Sequence, residues 1–354
     1  GLPVLAAPAL ARGLNGRGLG EAAAGHIGIE VQRLKAAAVL IVAAATGAAV
    51  AVSGGIGFVG IVVPHLLRLA SGPDHRALLL NSALLGATLL LYAFSLIAWL
   101  SKPLRRPKVV IDELHVLPGR AGMVAMVLAM LLAASALRPY APGLALGMVY
   151  LGIVSLFIIG ALITWKVGSG PKEGRGVTPV FHLTYVGYIL SVQTLVPLGH
   201  EDPARFIFWA TMVGAVAIWI ASLVQFLRRN PPAPLRPLMA IHVAPAALFA
   251  SSAVLLGYPL VGAGFAIFAL ALLLTFAASL RWLLASGFSP LWGALTFPLA
   301  ATATASILAL GTLGLWIGAA LIAVATGFNL FVAFQVFKSW AKGELGAKTN
   351  AAIA

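Results

Sequence analysis

Residues 288–307 read FSPLWGALTFPLAATATASI, and the fold turns on how this stretch is taken. It is apolar enough to sit in hydrocarbon, yet Phe297-Pro298 falls near its middle among Thr296, Thr302, Thr304 and Ser306. Proline lacks a backbone donor and its ring presses on the preceding turn, so a helix here must bend or break. In a bilayer such a break survives only where protein or a water-lined cavity covers the freed carbonyl. Two readings follow. The stretch is a kinked packing helix, or it is a pore wall with a bulky aromatic as its plug.

The surrounding composition is that of a membrane protein. Sixty-one per cent of the 354 residues are hydrophobic and only 9% are charged, with a mean hydropathy of +1.03. These values predict an all-α polytopic membrane protein rather than a soluble domain. The 23 Lys and Arg against nine Asp and Glu fall between apolar runs rather than on one face. They read as membrane anchors, and nucleic acid is not an expected partner. Cysteine is absent, which excludes disulfides and thiolate metal sites. No Ser/His/Asp arrangement and no metal-spaced histidine cluster emerges, so neither an enzyme nor a cofactor or metal site is expected.

Along the chain, a Gly- and Ala-rich segment to about residue 35 leads into an apolar run near 36–52. Gly55-x-Gly57-x-x-Gly60 matches the dinucleotide fingerprint in letters, but no strand precedes it and no βαβ unit surrounds it. Close helix packing or a re-entrant turn over 54–69 fits better. Nine apolar runs follow, near 78–100, 122–137, 143–165, 180–198, 206–227, 239–256, 261–280, 289–311 and 314–337. With 36–52 they make ten spans. Basic residues alternate between connections. Lys102, Arg105, Arg106 and Lys108 share one loop, Lys166, Lys172 and Arg175 another, and Arg228, Arg229 and Arg236 a third. The intervening loops hold little positive charge, which predicts a cytoplasmic C-terminus.

Two family resemblances divide the chain. GLGEAAAGHIGIEVQRLK, AVSGGIGFVGIVVPHLLRL and GPDHRALLLNSALLGA, within about residues 12–90, resemble permease subunits of ABC importers for iron-siderophores, haem and vitamin B12. That resemblance implies a cytoplasmic segment at Gly72, Pro73, Asp74 and His75 that helps contact an ATPase subunit. The charge count puts the same segment on the opposite side of the membrane. From about residue 92, LSKPLRRPKVVIDELHVLPGRAGM, TPVFHLTYVGYILSVQTLVPLG, LRPLMAIHVAPAALFASSA and FSPLWGALTFPLAATATA resemble the tellurite-resistance and C4-dicarboxylate transporter family. Plant slow anion channels belong to the same superfamily.

The second resemblance implies ten helices in five hairpins around a central pore, a phenylalanine gate, and a homotrimer. Phe297 falls at the gate position, with Pro245 and Pro298 as kinks. Pro197, at the far end of its run, is the nearest proline in 180–198. Thr304 lies seven residues after Phe297, on the same helical face. Thr296, Ser251, Ser252, Gln193 and Thr194 offer further hydroxyl and amide donors. Donors without a mid-span carboxylate suit a passing anion. His182 and His242 sit near the cytoplasmic ends of their runs, as a titratable mouth or as interfacial packing. Gly314-x-x-x-Gly318 is a pattern that permits close helix contact.

The sequence therefore predicts an inner-membrane protein with an importer-like segment over 1–90, a channel-like membrane domain over 91–345 and a tail over 346–354. Its expected function is passage of small anions (tellurite, dicarboxylate, sulfite or halide) through a pore gated by Phe297, with the lipid bilayer as its surroundings. The alternative is the permease subunit of an ATP-driven iron-chelate, haem or cobalamin importer, or a non-transporting hybrid of the two.

Overall fold

The computed structural model describes residues 99–170 and 176–344 without a gap, and a few residues before them (30, 32–34, 36–37, 86, 92–93 and 96–97). The expected runs 36–52 and 54–69, almost all of 78–100, and the tail 346–354 lie outside the described residues. By internal packing the chain divides into two units, 1–95 with 136–145 and 96–135 with 146–354. The second holds nearly everything that can be described.

Every described element of regular structure is helical. Seven helical segments are long and apolar enough to cross a bilayer, so the chain is an all-α integral membrane protein. We label the helices that form them α1 (Leu117–Leu137), α2 (Pro142–Ser169), α3 (Glu201–Arg228), α4 (Val243–Leu255), α5 (Pro259–Ala278), α6 (Thr296–Ala309) and α7 (Gly311–Ala341). Local chemistry sets their ends. Pro142 and Pro259 open α2 and α5, where a missing N–H costs nothing. Glu201 and Asp202 sit in the first turn of α3 and Arg228 in its last, each complementing the helix dipole. Gly257, at φ 81°, closes α4 in the left-handed conformation, and the Tyr258 amide donates back to the Ala253 carbonyl at 2.8 Å.

The run expected at 180–198 forms no continuous helix. It is a π turn at His182–Val186, a 3-10 turn at Gly187–Ser191, one α turn at Val192–Leu195 and a last 3-10 turn at Val196–Leu198. Two further segments begin irregularly. Ala233–His242 is 3-10 before α4, and Pro290–Leu295 is 3-10 before α6. At the proline read at 297–298, the 3-10 winding precedes Thr296 and Pro298 sits within the first turn of a continuous α6.

The core is built from small side chains. Val243, Ala246, Ala247 and Ala250 of α4 pack with Ala266 and Ala269 of α5 and Ala305 of α6. In lipid, helices gain little from excluding water, so close backbone approach through alanine and glycine supplies the contact. Gly262 is pressed on α4, since a Cβ there would lie 2.7 Å from Val254 Cγ2. Gly318 is pressed on α6, where a Cβ would lie 2.9 Å from the Ala303 carbonyl. The GxxxG pattern of α7 thus has a partner. The outer faces carry exposed Phe206, Val213, Leu260, Ile267, Trp316 and Phe334, the complement of a hydrocarbon surround.

Candidate functional site

A cavity of about 360 Å³ lies among α1, the broken segment 182–190, the 3-10 run with the start of α4, and the turn 290–298. Phe297, Pro298 and Pro245 line it together with Leu128, Leu190 and His182. The sequence brought Phe297 and the two kink prolines to one place, and that place is a void inside the bundle. Among the described lining residues His182 is the one polar side chain.

Of the six side chains expected to line a pore, all but Thr194 have other partners. Thr296 donates to the Gly293 carbonyl at 2.6 Å, and exposed Thr304 to the Ala300 carbonyl at 3.2 Å. Gln193 donates through its amide to Ser251 and Ser252 at 2.8 and 3.0 Å, tying the broken segment to α4. Ser251 in turn donates to the Leu248 carbonyl at 3.1 Å. Thr194 is fully buried and its hydroxyl has no partner. None of these six lines the cavity. Pro197 is exposed at the end of the broken segment. Gly72, Pro73, Asp74 and His75 lie outside the described residues.

His182 and His242 come together across 60 positions of sequence. Nε2 of His182 and Nδ1 of His242 share a hydrogen bond of 3.0 Å, with the rings edge to face at 5.0 Å. They are 2% and 5% exposed. Each leaves its second nitrogen buried without a partner. A buried polar atom left this way costs ~1–3 kcal/mol. Trp219 of α3 fixes the pair, with its ring 5.3 Å from His182 and its Nε1 donating to the His242 carbonyl at 3.1 Å. His242 also lines a second cavity of about 580 Å³, between α3 and α5. The sequence placed both histidines near helix ends but carried no sign that they meet.

Two polar anchors were also missed. Glu113, 4% exposed, takes Lys102 Nζ at 2.8 Å and Trp99 Nε1 at 3.3 Å. Arg236 lies over the Trp282 ring at 4.7 Å and donates to the Trp282 carbonyl at 3.2 Å. Arg236 had read only as a member of a basic loop.

The comparisons with known proteins concern the other end of the chain. Residues 2–118 match the FecCD transport family. A hemin transport system permease protein of Yersinia pestis is 50% identical over 97 residues, which is 27% of this chain and 29% of the relative. An uncharacterized ABC transporter permease protein of Bacillus subtilis is 45% identical over 106 residues, 28% of this chain and 30% of its own length. A vitamin B12 import system permease protein of Vibrio cholerae is 52% identical over 75 residues, 21% of this chain and 23% of its own. The chain therefore spans less than a third of these curated relatives.

These matches correct the expected function. The relatives are permeases of hemin, vitamin B12 and Fe(3+)-citrate import. They give no support to the tellurite-resistance and dicarboxylate-transporter reading, to small anions as the solute or to a homotrimer. The cavity chemistry agrees with the correction. An anion entering a void walled by apolar side chains loses its hydration, and none of the expected donors lines that void.

Proposed function

We propose that the chain is a transport permease of the ATP-driven importer type, its cargo a metal chelate of the haem, cobalamin or ferric-citrate class. The observation that carries this reading is the FecCD match over residues 2–118, with 50% identity to the hemin permease inside it. In this reading the protein lies in the cytoplasmic membrane. An ATPase subunit docks at Gly72, Pro73, Asp74 and His75, and the membrane protein performs no chemistry on its cargo.

The absence of cysteine makes a direct test simple. A single Ser71→Cys reporter is expected to react with an impermeant maleimide from the cytoplasmic side and to be shielded when the ATPase is bound. Labelling only from the periplasmic side overturns the docking assignment. In proteoliposomes with the partner ATPase, ATP is expected to drive uptake of haem, cobalamin or ferric citrate. Failure of all three, with the ATPase co-purified and active, overturns the cargo class.

A further inference from the structure

The histidine pair joins two spaces that have no other described connection through polar groups. His182 lines the central cavity, His242 lines the cavity between α3 and α5, and the bond between them is 3.0 Å. In each cavity the histidine is the one ionisable side chain among the described lining residues. The second cavity reaches Asn230 and Ser279, just past the ends of α3 and α5, and Ser222 and Thr275 add hydroxyls along it. Neither α1, α3, α5 nor the turn Pro290–Leu295 brings a carboxylate, lysine or arginine into hydrogen-bond or ion-pair contact with either ring. What packs on them is the indole of Trp219, which holds its proton. A structural pair could satisfy its outer nitrogens on nearby backbone. Here both remain open, and buried polar atoms left so call for an explanation.

We propose that His182 and His242 form a proton-transfer site that carries protons between the two cavities. The resting pair is neutral and exchanges between two tautomeric arrangements, and in one of them His182 donates from Nε2 to Nδ1 of His242, whose own proton sits on Nε2. A proton arriving from the central cavity binds His182 Nδ1. The Nε2–H bond of His182 then breaks as an Nδ1–H bond forms on His242, and the proton on His242 Nε2 leaves into the second cavity. One proton enters and one departs, so the pair ends neutral in the mirror tautomers. Side-chain breathing must admit a water to each outer nitrogen, and the rings must reset between transfers, so the flux is that of a relay rather than of an open water wire. The site lies outside the 2–118 match and stands whether or not the importer reading does.

The test uses the full chain in liposomes loaded with a pH-sensitive dye, with a potassium diffusion potential driving protons. The expected result is acidification above protein-free liposomes, cut roughly tenfold or more in His182→Gln and in His242→Gln. Gln keeps a polar group of similar reach but cannot accept and release a proton. Wild-type flux equal to protein-free liposomes, or full flux in either variant, overturns the proposal. Because either variant could misfold, the unmutated protein supplies a second reading. Nitrogen-15 histidine spectra of the reconstituted chain are expected to show an N–H···N bond with its proton on either ring. One fixed tautomer from about pH 5 to pH 9 overturns the relay as well.

Discussion

Two kinds of span share this bundle, and their backbones differ. The segment Ala233–Leu255 has 78% of its apolar window buried, while Gly311–Ser339 has 17%. The buried segment is wound as 3-10 helix over its first ten residues. The lipid-facing one is a single α-helix of 31 residues, Gly311–Ala341. The pattern holds elsewhere. The broken segment 182–198 is mostly enclosed, whereas α2 and α3 run 28 residues each without a break and are 28% buried. Irregular backbone frees amides and carbonyls, and in hydrocarbon these are costly unless protein covers them. The most enclosed segments are therefore broken ones, although unbroken α1 is 44% buried and Pro290–Ala309, 3-10 at its start, is 33% buried. The histidine pair and the Gln193 bonds sit on the broken set, and the cavity lies between that set and α1.

The contrast can be broken by substitution, and the largest effect is expected on the buried side. Phe249→Ala in α4 removes a fully buried ring that touches Phe208, Trp219 and Phe265. Thermal or denaturant unfolding in detergent should show a loss of ~3–5 kcal/mol. Phe334→Ala on the outer face of α7 should cost under ~0.5 kcal/mol. Equal losses would mean that the two sets are not energetically distinct. Next comes Gly318→Val, which drives a side chain into α6 and is expected to cost ~1–3 kcal/mol. Gly327→Val, with open space around it, should be near neutral in the same assay. Gln193→Leu leaves Ser251 and Ser252 without their donor and should cost ~0.6–2 kcal/mol. The smallest effect belongs to the outside. Glu201→Gln removes the exposed pair with Arg205 (2.7 Å) and should lower stability by ~0.3–0.5 kcal/mol, less in high salt.

A second contrast lies along the chain. The segment that resembles known permeases occupies residues 2–118, and the described bundle begins at Leu117. Resemblance assigned the channel-like role to the bundle. The matches attach to the other segment and carry the import reading with them. A motif can name a class only where it matches. Phe297 and the kink prolines do meet at a cavity, yet its apolar wall offers an anion no row of donors.

Much of the architecture was legible in composition and run length. Seven of the eight long apolar runs after residue 120 correspond to membrane-length helical segments, 180–198 being the exception, because about 20 apolar residues in one helix span the hydrocarbon and the tally is local. The Gly314/Gly318 contact was legible for the same reason, since spacing within one helix fixes which residues share a face. The break at 182–198 was not, because its proline lies at the far end and the irregular turns are held by contacts from α3 and α4. The contacts of Glu113 with Lys102 and Trp99, and of Arg236 with Trp282, likewise join residues that the fold brings together.

By itself, then, the sequence determined that this chain is a helical membrane protein, where most of its spans lie, and which end carries permease-like residues. Tertiary structure alone decided that His182 meets His242, that Gln193 serves Ser251 and Ser252, and that Phe297 faces a void with one polar group. Hydropathy is a sum over neighbours in sequence, whereas a buried hydrogen bond is made between residues that only folding brings within 3 Å.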